Sequence, residues 1–423
     1  MIDKEIIPKQ WEIKKLGDVC EIYQGYGFPV VLQGKLTGGI KVFKVGDISQ
    51  NVQAGNKYLE FSRNFIDEND LNKLKAKILP KNTIVFAKIG EALKLNRRAI
   101  TKEPCIVDNN AIGLKSKRDF CLDLFLYYYL SVIRLEDYSR ATTVPSVRKS
   151  DIEEILIPIP PLSEQLQIVT KIEELFSELD KGKQQLETVR LQLKSYRQAV
   201  LKWAFEGKFT NKYVTGGQLP EGWERVKVKD VCKRIIGGGT PSTSVLEFWK
   251  GNIPWISSAD ILGIRDIRPR KMITENAVEN SATNILPKGG IIVVTRVGLG
   301  KLAIAPFDIC FSQDNQGLIL NETIIIQEYA LLFLQKEVQN FKQHSRGTTI
   351  NGVTKKQLSD LDLILPQISE QKQIVQEIES RLSVCDKMEE IITNCLRQSE
   401  SLRQSILKQA FEGKLIKSDE NFG

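Results

Sequence analysis

Histidine is nearly absent from this chain, and methionine is scarce. The 423 residues include one histidine, His344, and three methionines. A histidine-rich metal site or a histidine-based catalytic triad therefore has almost no residues to use. We interpret His344 as a surface or loop residue.

Paired cysteines are also lacking. The seven cysteines form no CxxC pair and lie at Cys20, Cys105, Cys121, Cys232, Cys310, Cys385 and Cys395. An odd, scattered set makes a poor disulfide framework and a poor zinc site. It is typical of a reducing compartment, so we expect a cytoplasmic protein.

Long apolar runs and a basic leader are missing as well. No run approaches the roughly 20 apolar residues that a membrane-spanning helix needs. The first five residues, MIDKE, contain neither a basic region nor an apolar stretch. We therefore expect neither secretion nor membrane insertion.

The glycine-rich segments complete no catalytic motif. Residues 237–242 lack the Lys-Ser/Thr pair of a P-loop, and Pro241 blocks an immediate helix. Residues 297–301 are too short for a dinucleotide fingerprint, and the Asn-Pro-Pro-aromatic loop of a base-flipping methyltransferase is missing. We expect no catalytic, cofactor-binding or metal-binding residue on this chain.

The composition that remains is that of a globular protein with a positive charge balance. Hydrophobic residues make up 42% and charged residues 26% of the chain, as in ordinary folded domains. A chain of 423 residues exceeds one ordinary core, so two or more domains are expected. The net charge of +8 weakly favours a polyanionic partner.

The motifs in the second part of each half of the chain recur at one constant offset. Residues 163–165 (SEQ) recur as residues 369–371, and residues 204–208 (AFEGK) recur as residues 410–414. The same offset of 206 residues separates both pairs, as a long helix in fixed register requires.

The first part of each half matches more loosely. Trp11 corresponds to Trp223, and Pro80 to Pro287, with different offsets. Loops in this part have therefore gained and lost residues. The halves are predicted to share a fold and to differ in surface loops, where recognition residues usually lie.

The segment from Ser163 to about Gly207 has the pattern of one long helix. Ser163 can cap its start after the prolines of residues 158–161, and Gly207 stands where a C-terminal cap is expected. Spacings of three and four predict a coiled-coil seam at Ile172, Leu175, Leu179, Gly182, Leu186, Val189, Leu193, Tyr196, Val200 and Trp203.

The second copy, from Ser369 to Gly413, has a comparable stripe. Its members are Ile378, Leu382, Cys385, Met388, Ile392, Cys395, Leu402 and Ile406. Each helix must bury its stripe, and the other helix is the obvious partner. Such a pair would be a rigid spacer of roughly 65–70 Å.

The parts before each helix are predicted to be mixed α/β domains. Short β-rich runs at 83–87 and 291–295 are bounded by glycine and proline, and helices are expected near 122–135 and 326–339. We therefore predict an α+β fold with globular domains at 1–160 and 213–365, each followed by a helical segment at 161–212 and 366–423.

Basic and amide residues occur in turn-like segments of both domains. Lysine and arginine neutralise phosphates, while arginine, asparagine and glutamine can contact base edges through two hydrogen bonds. The candidate DNA-binding residues are Lys88, Lys94, Arg97, Arg98, Asn109, Asn110, Thr142, Thr143, Arg148, Thr240, Ser242, Ser258, Arg296, Gln313, Asn315, Gln316, Thr348, Thr349 and Asn351. Solvated surface is the alternative for each of them singly, and the doubled pattern is what favours DNA.

Taken together, these motifs resemble the specificity subunit of Type I restriction–modification systems. The second half carries residues 238–242 (GGTPS), 255–261 (WISSADI), 285–289 (ILPKG) and 364–371 (ILPQISEQ); the first half carries residues 157–165 (IPIPPLSEQ) and 204–208 (AFEGK). The ordered set covers nearly the whole chain. Residues 25–29 (GYGFP) depart from the usual Gly-Gly-Thr-Pro, so the recognition loops of the first domain are harder to place.

The resemblance implies two target-recognition domains joined by two long antiparallel helices with an approximate twofold relation. Each domain would contact one part of a bipartite, asymmetric site in double-stranded DNA, and the helices would set its spacer. Two modification (methyltransferase) subunits would bring S-adenosylmethionine, and restriction subunits would bring ATP and Mg²⁺. The chain itself would be non-catalytic. The implied docking residues on the helices are Glu164, Gln165, Phe205, Glu370, Gln371 and Phe411.

Other functions stay open at this point. A coiled-coil scaffold whose domains bind other proteins would explain the helices but not the doubled basic domains, and it would show no salt-dependent affinity for DNA. A fused methyltransferase would need the catalytic motifs that are missing. Half of the chain could also act as a homodimer, and its target would then be palindromic.

Overall fold

The chain is organised as two compact units. The computed structural model describes residues 6–139, 144–211, 219–344 and 352–416. The first unit comprises Met1–Leu186 and Asn394–Gly423, and the second comprises Glu187–Thr393. Each unit contains a globular α+β part together with a portion of two long helices.

The globular part of the first unit is built on a five-stranded sheet. The strands of this globular part are β1 (Glu12–Lys15), β2 (Cys20–Gln24), β3 (Ile40–Phe43), β4 (Tyr58–Leu59), β5 (Asn64–Ile66), β6 (Ile84–Ala87), β7 (Ala99–Thr101), β8 (Cys105–Val107), β9 (Ala111–Ser116) and β10 (Leu156–Ile159). The five-stranded sheet has the order β2-β9-β6-β7-β4, and a three-stranded sheet has the order β5-β3-β8. Strands β1 and β10 pair in a separate antiparallel ribbon.

Six short helices accompany these strands. They are α1 (Leu16–Val19), α2 (Val45–Gln53), α3 (Glu68–Leu74), α4 (Glu91–Lys94), α5 (Asp123–Val132) and α6 (Lys149–Glu153), with 3-10 helices at Val30–Leu32 and Leu135–Tyr138. Strand β6 is apolar throughout because both of its faces are covered. Ile84 and Phe86 belong to the core that contains Phe125 of α5, while Val85 belongs to the core that contains Ile48 of α2.

The second unit has a closely similar layout, preceded by the long helix α7 (Leu162–Phe205). Its strands are β11 (Glu224–Lys227), β12 (Cys232–Gly237), β13 (Ile253–Ile256), β14 (Lys271–Ile273), β15 (Ile291–Val294), β16 (Leu302–Ile304), β17 (Cys310–Phe311), β18 (Asn315–Leu320) and β19 (Asp362–Leu365). Its helices are α8 (Glu275–Glu279), α9 (Gln327–His344), α10 (Lys355–Ser359) and α11 (Ile368–Phe411), with 3-10 helices at Val228–Val231, Leu246–Trp249 and Ser258–Asp260.

The strand orders show that the chain follows one path twice. The sheets β12-β18-β15-β16 and β14-β13-β17 repeat the orders β2-β9-β6-β7 and β5-β3-β8, and the ribbon β11-β19 repeats β1-β10. The first unit adds β4 at the edge of its larger sheet. The predicted mixed α+β fold with an internal repeat and two long helices is therefore confirmed.

The two long helices, of 44 residues each, pack against each other within each unit. In the first unit, Arg403 donates to Asp180 at 2.5 Å, and its guanidinium lies 4.3 Å from the ring centre of Phe176. In the second unit, Arg190 pairs with Glu389 at 2.7 Å and Arg197 with Asp386 at 2.6 Å. The numbers rise along α7 while they fall along α11, so the helices are antiparallel there.

The predicted coiled-coil seam is only partly correct. Ile172, Leu193 and Val200 are buried, as are Ile378, Cys385 and Ile392. Tyr196, Trp203, Met388 and Leu402, which the prediction also placed in the seam, are exposed instead. Buried and exposed members alternate, as in Leu193, Tyr196 and Val200, so about one predicted position in each heptad packs inward and the other faces solvent.

Both long helices end at a glycine, as predicted for Gly207. The φ angles of Gly207 and Gly413 are 75° and 71°, in the left-handed region that a C-terminal cap adopts. A Cβ atom at either position would overlap a proline ring, that of Pro220 or Pro8. Only glycine therefore fits at the end of α7, beside Pro220, and at the end of α11, beside Pro8.

Candidate nucleic-acid interface

Three connections of the first unit meet at one end of its central sheet. The antiparallel register places Gln24, the last residue of β2, opposite Ile112 of β9. Ala87, the last residue of β6, lies opposite Ala111, the first residue of β9. The segments after β2, after β6 and before β9 therefore leave the sheet at a common edge, which we call the loop edge of the first unit.

Four predicted DNA-binding residues lie at this loop edge. The backbone N–H of Lys88 donates to the carbonyl of Asn110 at 2.9 Å, and the N–H of Val147 donates to the carbonyl of Lys88 at 2.9 Å. These bonds bring Lys88, Asn109, Asn110 and Arg148 together. A cavity of about 420 Å³ opens here, and its lining includes Gln24, Lys88, Ser146, Arg148 and Lys149.

The turn before β9 has a defined conformation that exposes Asn109. Asp108 is buried, and its carboxylate accepts a hydrogen bond from the backbone N–H of Asn110 at 3.2 Å. Burial raises the pKa of the Asp108 carboxyl, while the charge of Lys44 acts in the opposite direction. Because Asp108 points inward, Asn109 and Asn110 are the exposed members of the turn.

The second unit builds an equivalent loop edge. Gly237, the last residue of β12, lies opposite Gln316 of β18, and Val294 of β15 lies opposite Asn315. The N–H of Thr295 donates to the carbonyl of Asp314 at 2.8 Å, and the N–H of Val353 donates to the carbonyl of Thr295 at 2.8 Å. These two bonds repeat the pair made by Lys88 and Val147.

This correspondence aligns the two turns residue by residue. The N–H of Ala111 donates to the carbonyl of Asp108 at 3.0 Å, and the N–H of Asn315 donates to that of Ser312 at 3.1 Å. Gln313 therefore occupies the position of Asn109. Both side chains are amides and both are exposed.

Hydroxyl side chains surround the second turn. Thr240 donates from its hydroxyl to the side-chain oxygen of Gln313 at 2.6 Å. Gly238 permits this approach, because a Cβ there would overlap the carbonyl of Ser312. Arg296 is exposed in the connection that follows β15, while Ser258 is buried with its hydroxyl near Gly298 of that connection. Of the predicted residues, Thr240, Gln313 and Arg296 thus share one edge.

Arg98 is 4% exposed, and its side chain lines a cavity together with Tyr127, Tyr128 and Glu173. Its guanidinium stacks 4.6 Å from the ring centre of Phe86 and donates to the side-chain oxygen of Asn96 and to the carbonyl of Arg97. Burial lowers the pKa of the Arg98 guanidinium to about 9. The side chain can reach DNA only after a rearrangement, so it has no part in the interface proposed below.

The other candidate residues are placed as follows. Lys94 is exposed and pairs with Glu91 at 2.7 Å, and Arg97 is half-buried. Asn315 is buried and donates to the hydroxyl of Ser312 at 3.2 Å. Gln316 is half-buried, and Ser242 is exposed with its carbonyl bound to the indole N–H of Trp249. Thr142, Thr143, Thr348, Thr349 and Asn351 lie outside the described residues.

Gln165 and Gln371, near the starts of the long helices, are buried within their units. The side-chain oxygen of Gln165 accepts from the N–H of Leu122 at 2.9 Å, and its nitrogen donates to the carbonyls of Phe120 and Pro160 at 2.8 and 2.9 Å. Gln371 makes the same three bonds, to the backbone of Ile326, Ile324 and Pro366. These glutamines hold the start of each helix to its globular part.

Glu164 and Glu370 have matching partners too. The indole N–H of Trp11 donates to Glu164 at 3.0 Å, and that of Trp223 donates to Glu370 at 2.9 Å. These bonds join the first strand segment of each globular part to the helix that follows it. The repeated tryptophans are thereby explained.

The aromatic residues at the helix ends pack inside the globular parts. The ring of Phe411 lies 5.2 Å from those of Phe125 and Tyr129 in the first unit. The ring of Phe205 lies 5.2 Å from that of Tyr329 in the second unit. Each globular part is therefore held by the start of one long helix and by the end of the other. The assignment of these helices to subunit docking stays a prediction.

Three residues at the loop edge were missed from the sequence. Gln24 and Ser146 line the cavity of the first unit, and Lys44 lies at the start of α2 beside Asp108. Strand register makes Gln24 the counterpart of Gly237, which has no side chain, so an alignment of the two repeats gives no signal for Gln24. No signal in the sequence marks Ser146 or Lys44.

The part of the chain that the structure describes contains neither a metal-ligand cluster nor a membrane-spanning helix. No group of three or more histidine, cysteine, aspartate or glutamate side chains could hold a metal ion there. Within the same residues, no helix is long and apolar enough to cross a membrane.

Comparison with known proteins agrees with this architecture. A family model described as the Type I restriction modification DNA specificity domain matches residues 8–188 and 220–397. The specificity subunit of the Type I restriction enzyme MjaIX, from Methanocaldococcus jannaschii, is 29% identical over 49% of this chain and 47% of its own. That of EcoKI, from Escherichia coli K12, is 23% identical over 97% of this chain and 90% of its own.

The fold also has a solved counterpart. A chain from a structural study of complex assembly and conformational transition in a type I R-M system matches with a TM-score of 0.74 and 21% identity, over 97% of this chain and 99% of that one. The family model matches both repeats and leaves only short segments unmatched. The chain therefore belongs to the Type I restriction modification DNA specificity family and is the non-catalytic DNA specificity subunit of a Type I restriction–modification system.

Proposed function

We propose that each unit recognises one part of a bipartite, asymmetric site in double-stranded DNA through its loop edge. The equivalence of Asn109 and Gln313 carries this proposal. Each is an exposed amide at the tip of the same turn, with Lys88 and Arg148 near one and Arg296 near the other. Asparagine and glutamine can bond to N7 and N6 of adenine in the major groove, while basic side chains neutralise the flanking phosphates.

The two loop edges differ in chemistry, which supports an asymmetric target. The first edge combines two amides with the cations Lys88 and Arg148, and the second combines one amide with the hydroxyl of Thr240 and the cation Arg296. Identical edges would favour a palindromic target, since equal half-sites would be read from both ends. Two different edges require two different half-sites.

The long helices suit the role of a spacer with docking surfaces. Each of the 44-residue helices α7 and α11 contributes to both units, and a helix of that length spans roughly 65–70 Å. We propose that segments 161–212 and 366–423 set the non-contacted spacer of the target, between recognition domains at 1–160 and 213–365.

Two methyltransferase subunits would dock on these helices and bring S-adenosylmethionine. Restriction subunits would add ATP and Mg²⁺, which the chain itself would not bind. We expect such a complex to be located in the cytoplasm.

Single-molecule sequencing of adenine methylation tests this function directly. The chain would be expressed with its neighbouring methyltransferase in a host that lacks the system. We expect a methylated, gapped and asymmetric motif with one modified adenine in each half.

The scaffold alternative makes the opposite prediction. If a stable complex with an active methyltransferase produced no new motif, the chain would be a scaffold whose globular parts bind proteins. A palindromic motif would contradict the asymmetric target while leaving DNA recognition intact.

A further inference from the structure

Two adjacent valines stand fully in solvent near the loop edge of the first unit. Val30 and Val31, in the 3-10 helix Val30–Leu32, are 84% and 83% exposed. Single exposed apolar residues are ordinary on protein surfaces. The two branched side chains contribute nothing to the core of the unit, so they are free to contact the surface of a binding partner.

Hydrogen bonds tie this turn to the amide turn of the loop edge. The side chain of Gln33 donates to the carbonyl of Phe28 at 3.0 Å and accepts from Lys44 at 3.0 Å. Lys44 directly follows Phe43, whose carbonyl accepts from the N–H of Asp108 at 3.0 Å. These bonds, together with the bridge that pairs Tyr26 with Asp108, connect the segment of the valines to the segment that carries Asn109.

The second unit also has a 3-10 helix with an exposed apolar side chain, here a leucine. Its 3-10 helix Leu246–Trp249 follows the equivalent strand, and Leu246 is 65% exposed. The indole N–H of Trp249 donates to the carbonyl of Ser242 at 3.1 Å, two residues after Thr240, which donates to Gln313. In both units an exposed apolar turn is thus linked to the exposed amide.

The chemistry of DNA limits what such a turn can contact. In the major groove the apolar group on the base edges is the C5-methyl of thymine, while the other groups are hydrogen-bond donors and acceptors. Valine and leucine side chains offer no hydrogen bond, so they can distinguish thymine by burying its methyl group. The linkage to the amide turn puts this contact next to the base that the amide would recognise.

We propose that the two exposed 3-10 turns recognise thymine methyl groups, with Val30 and Val31 acting in the first half-site and Leu246 in the second. This inference rests on the proposed function, since it names what the same interface contacts. It makes these residues determinants of specificity that act beside the amides.

Replacing thymine by uracil in the target removes only the methyl group. Binding of the complete methyltransferase complex would be measured on its own target with uracil at each thymine of both half-sites in turn. We expect at least one substitution in each half-site to weaken binding about fourfold, the equivalent of 0.8 kcal/mol for one buried methyl-sized group.

Variants then assign the effect to the turns. The double variant Val30→Ser, Val31→Ser should bind thymine and uracil equally in the first half-site and keep the wild-type preference in the second. The variant Leu246→Ser should show the reverse pattern and serves as its matched control. Because all three side chains are exposed, folding should be unchanged, and the retained preference in the untouched half-site verifies it.

Several outcomes would overturn the inference. Equal binding of thymine and uracil at every position of the wild-type half-sites, or half-sites without thymine, would contradict it while the proposed function stood. Loss of the methyltransferase subunit from the Val30→Ser, Val31→Ser complex would instead identify the turn as a protein-docking surface. A wild-type complex that binds all DNA sequences alike would refute the proposed function itself.

Discussion

The two loop edges have the same backbone and different side chains. Lys88 and Thr295 make the same pair of backbone hydrogen bonds after equivalent strands. One side chain is a cation and the other is a hydroxyl. The backbone bonds place the connections, and they do not depend on which side chain each connection carries. A scaffold of this kind can change what it recognises without changing its fold.

The residues that hold the long helices to the globular parts, in contrast, are the same in the two units. Gln165 and Gln371 make the same three hydrogen bonds in the two units. Trp11 and Trp223 likewise bond to equivalent glutamates. Residues that hold the helices are therefore identical in both repeats, while residues at the loop edges differ.

The largest expected effect concerns the buried glutamines. Gln165→Ala should destabilise the first unit by about 3 kcal/mol, because it leaves the backbone N–H of Leu122 and the carbonyls of Phe120 and Pro160 without this partner. Gln371→Ala should cost the second unit a similar amount. Unfolding by urea measures both, and Gln167→Ala on the exposed face of α7 is the control. A large difference between the two variants would show that the anchors are not equivalent.

The next effect concerns the amides at the turn tips. The double change Asn109→Ala, Asn110→Ala should relax specificity at the first half-site only, and Gln313→Ala at the second only. A bidentate contact to a base discriminates by about 1–3 kcal/mol, so roughly tenfold or more is expected at the affected base. Methylation sequencing of each variant measures it. An equal loss of specificity at both half-sites would contradict the prediction that each unit recognises its own half-site.

A smaller and less specific effect is expected from the cations. Lys88→Ala and Arg148→Ala should each weaken binding to all sequences alike and reduce the slope of log affinity against log salt by about 1. Arg296→Ala tests the second edge in the same way, and Lys194→Ala, at an exposed position of α7, supplies a control. A change in the preferred sequence would identify a base contact instead.

A separate effect is a loss of stability in alkali. Burial raises the pKa of the Cys310 thiol to about 11 and that of the Cys20 thiol to about 12. Since unfolded cysteine ionises at a lower pH, the folded state binds more protons, and stability should fall as the pH rises from about 9 toward 11. Denaturant midpoints at pH 8, 9.5 and 10.5 measure this, and Cys310→Ala should flatten the slope. An unchanged slope would show that other groups are responsible.

Local patterns predicted the regular elements well and the interface only in part. The long helices were predicted within one or two residues of α7 and α11, because a sustained apolar spacing is a local property. The strands β6 and β15 were predicted from apolar runs for the same reason. The exposed members of the seam, such as Tyr196 and Leu402, were misplaced because spacing along the chain does not show how much of each helix its partner covers.

Turn residues were harder to judge. Lys88, Asn109 and Arg148 were grouped by composition alone, and their proximity depends on strand register. Arg98 has the same composition signal and is nevertheless buried against Phe86. Val30 and Val31 have no such signal, since adjacent valines usually predict a strand or a core.

Spacing and repetition along the chain were enough to predict a doubled fold, a long helix at the end of each half, and loops that differ between the two copies. The three-dimensional structure was needed to show that Gln165 and Gln371 face inward, that Asn109 and Gln313 are equivalent, and that an exposed apolar turn follows the first strand of each central sheet. Burial and equivalence depend on contacts between residues far apart in the chain, and local patterns carry no information about those contacts.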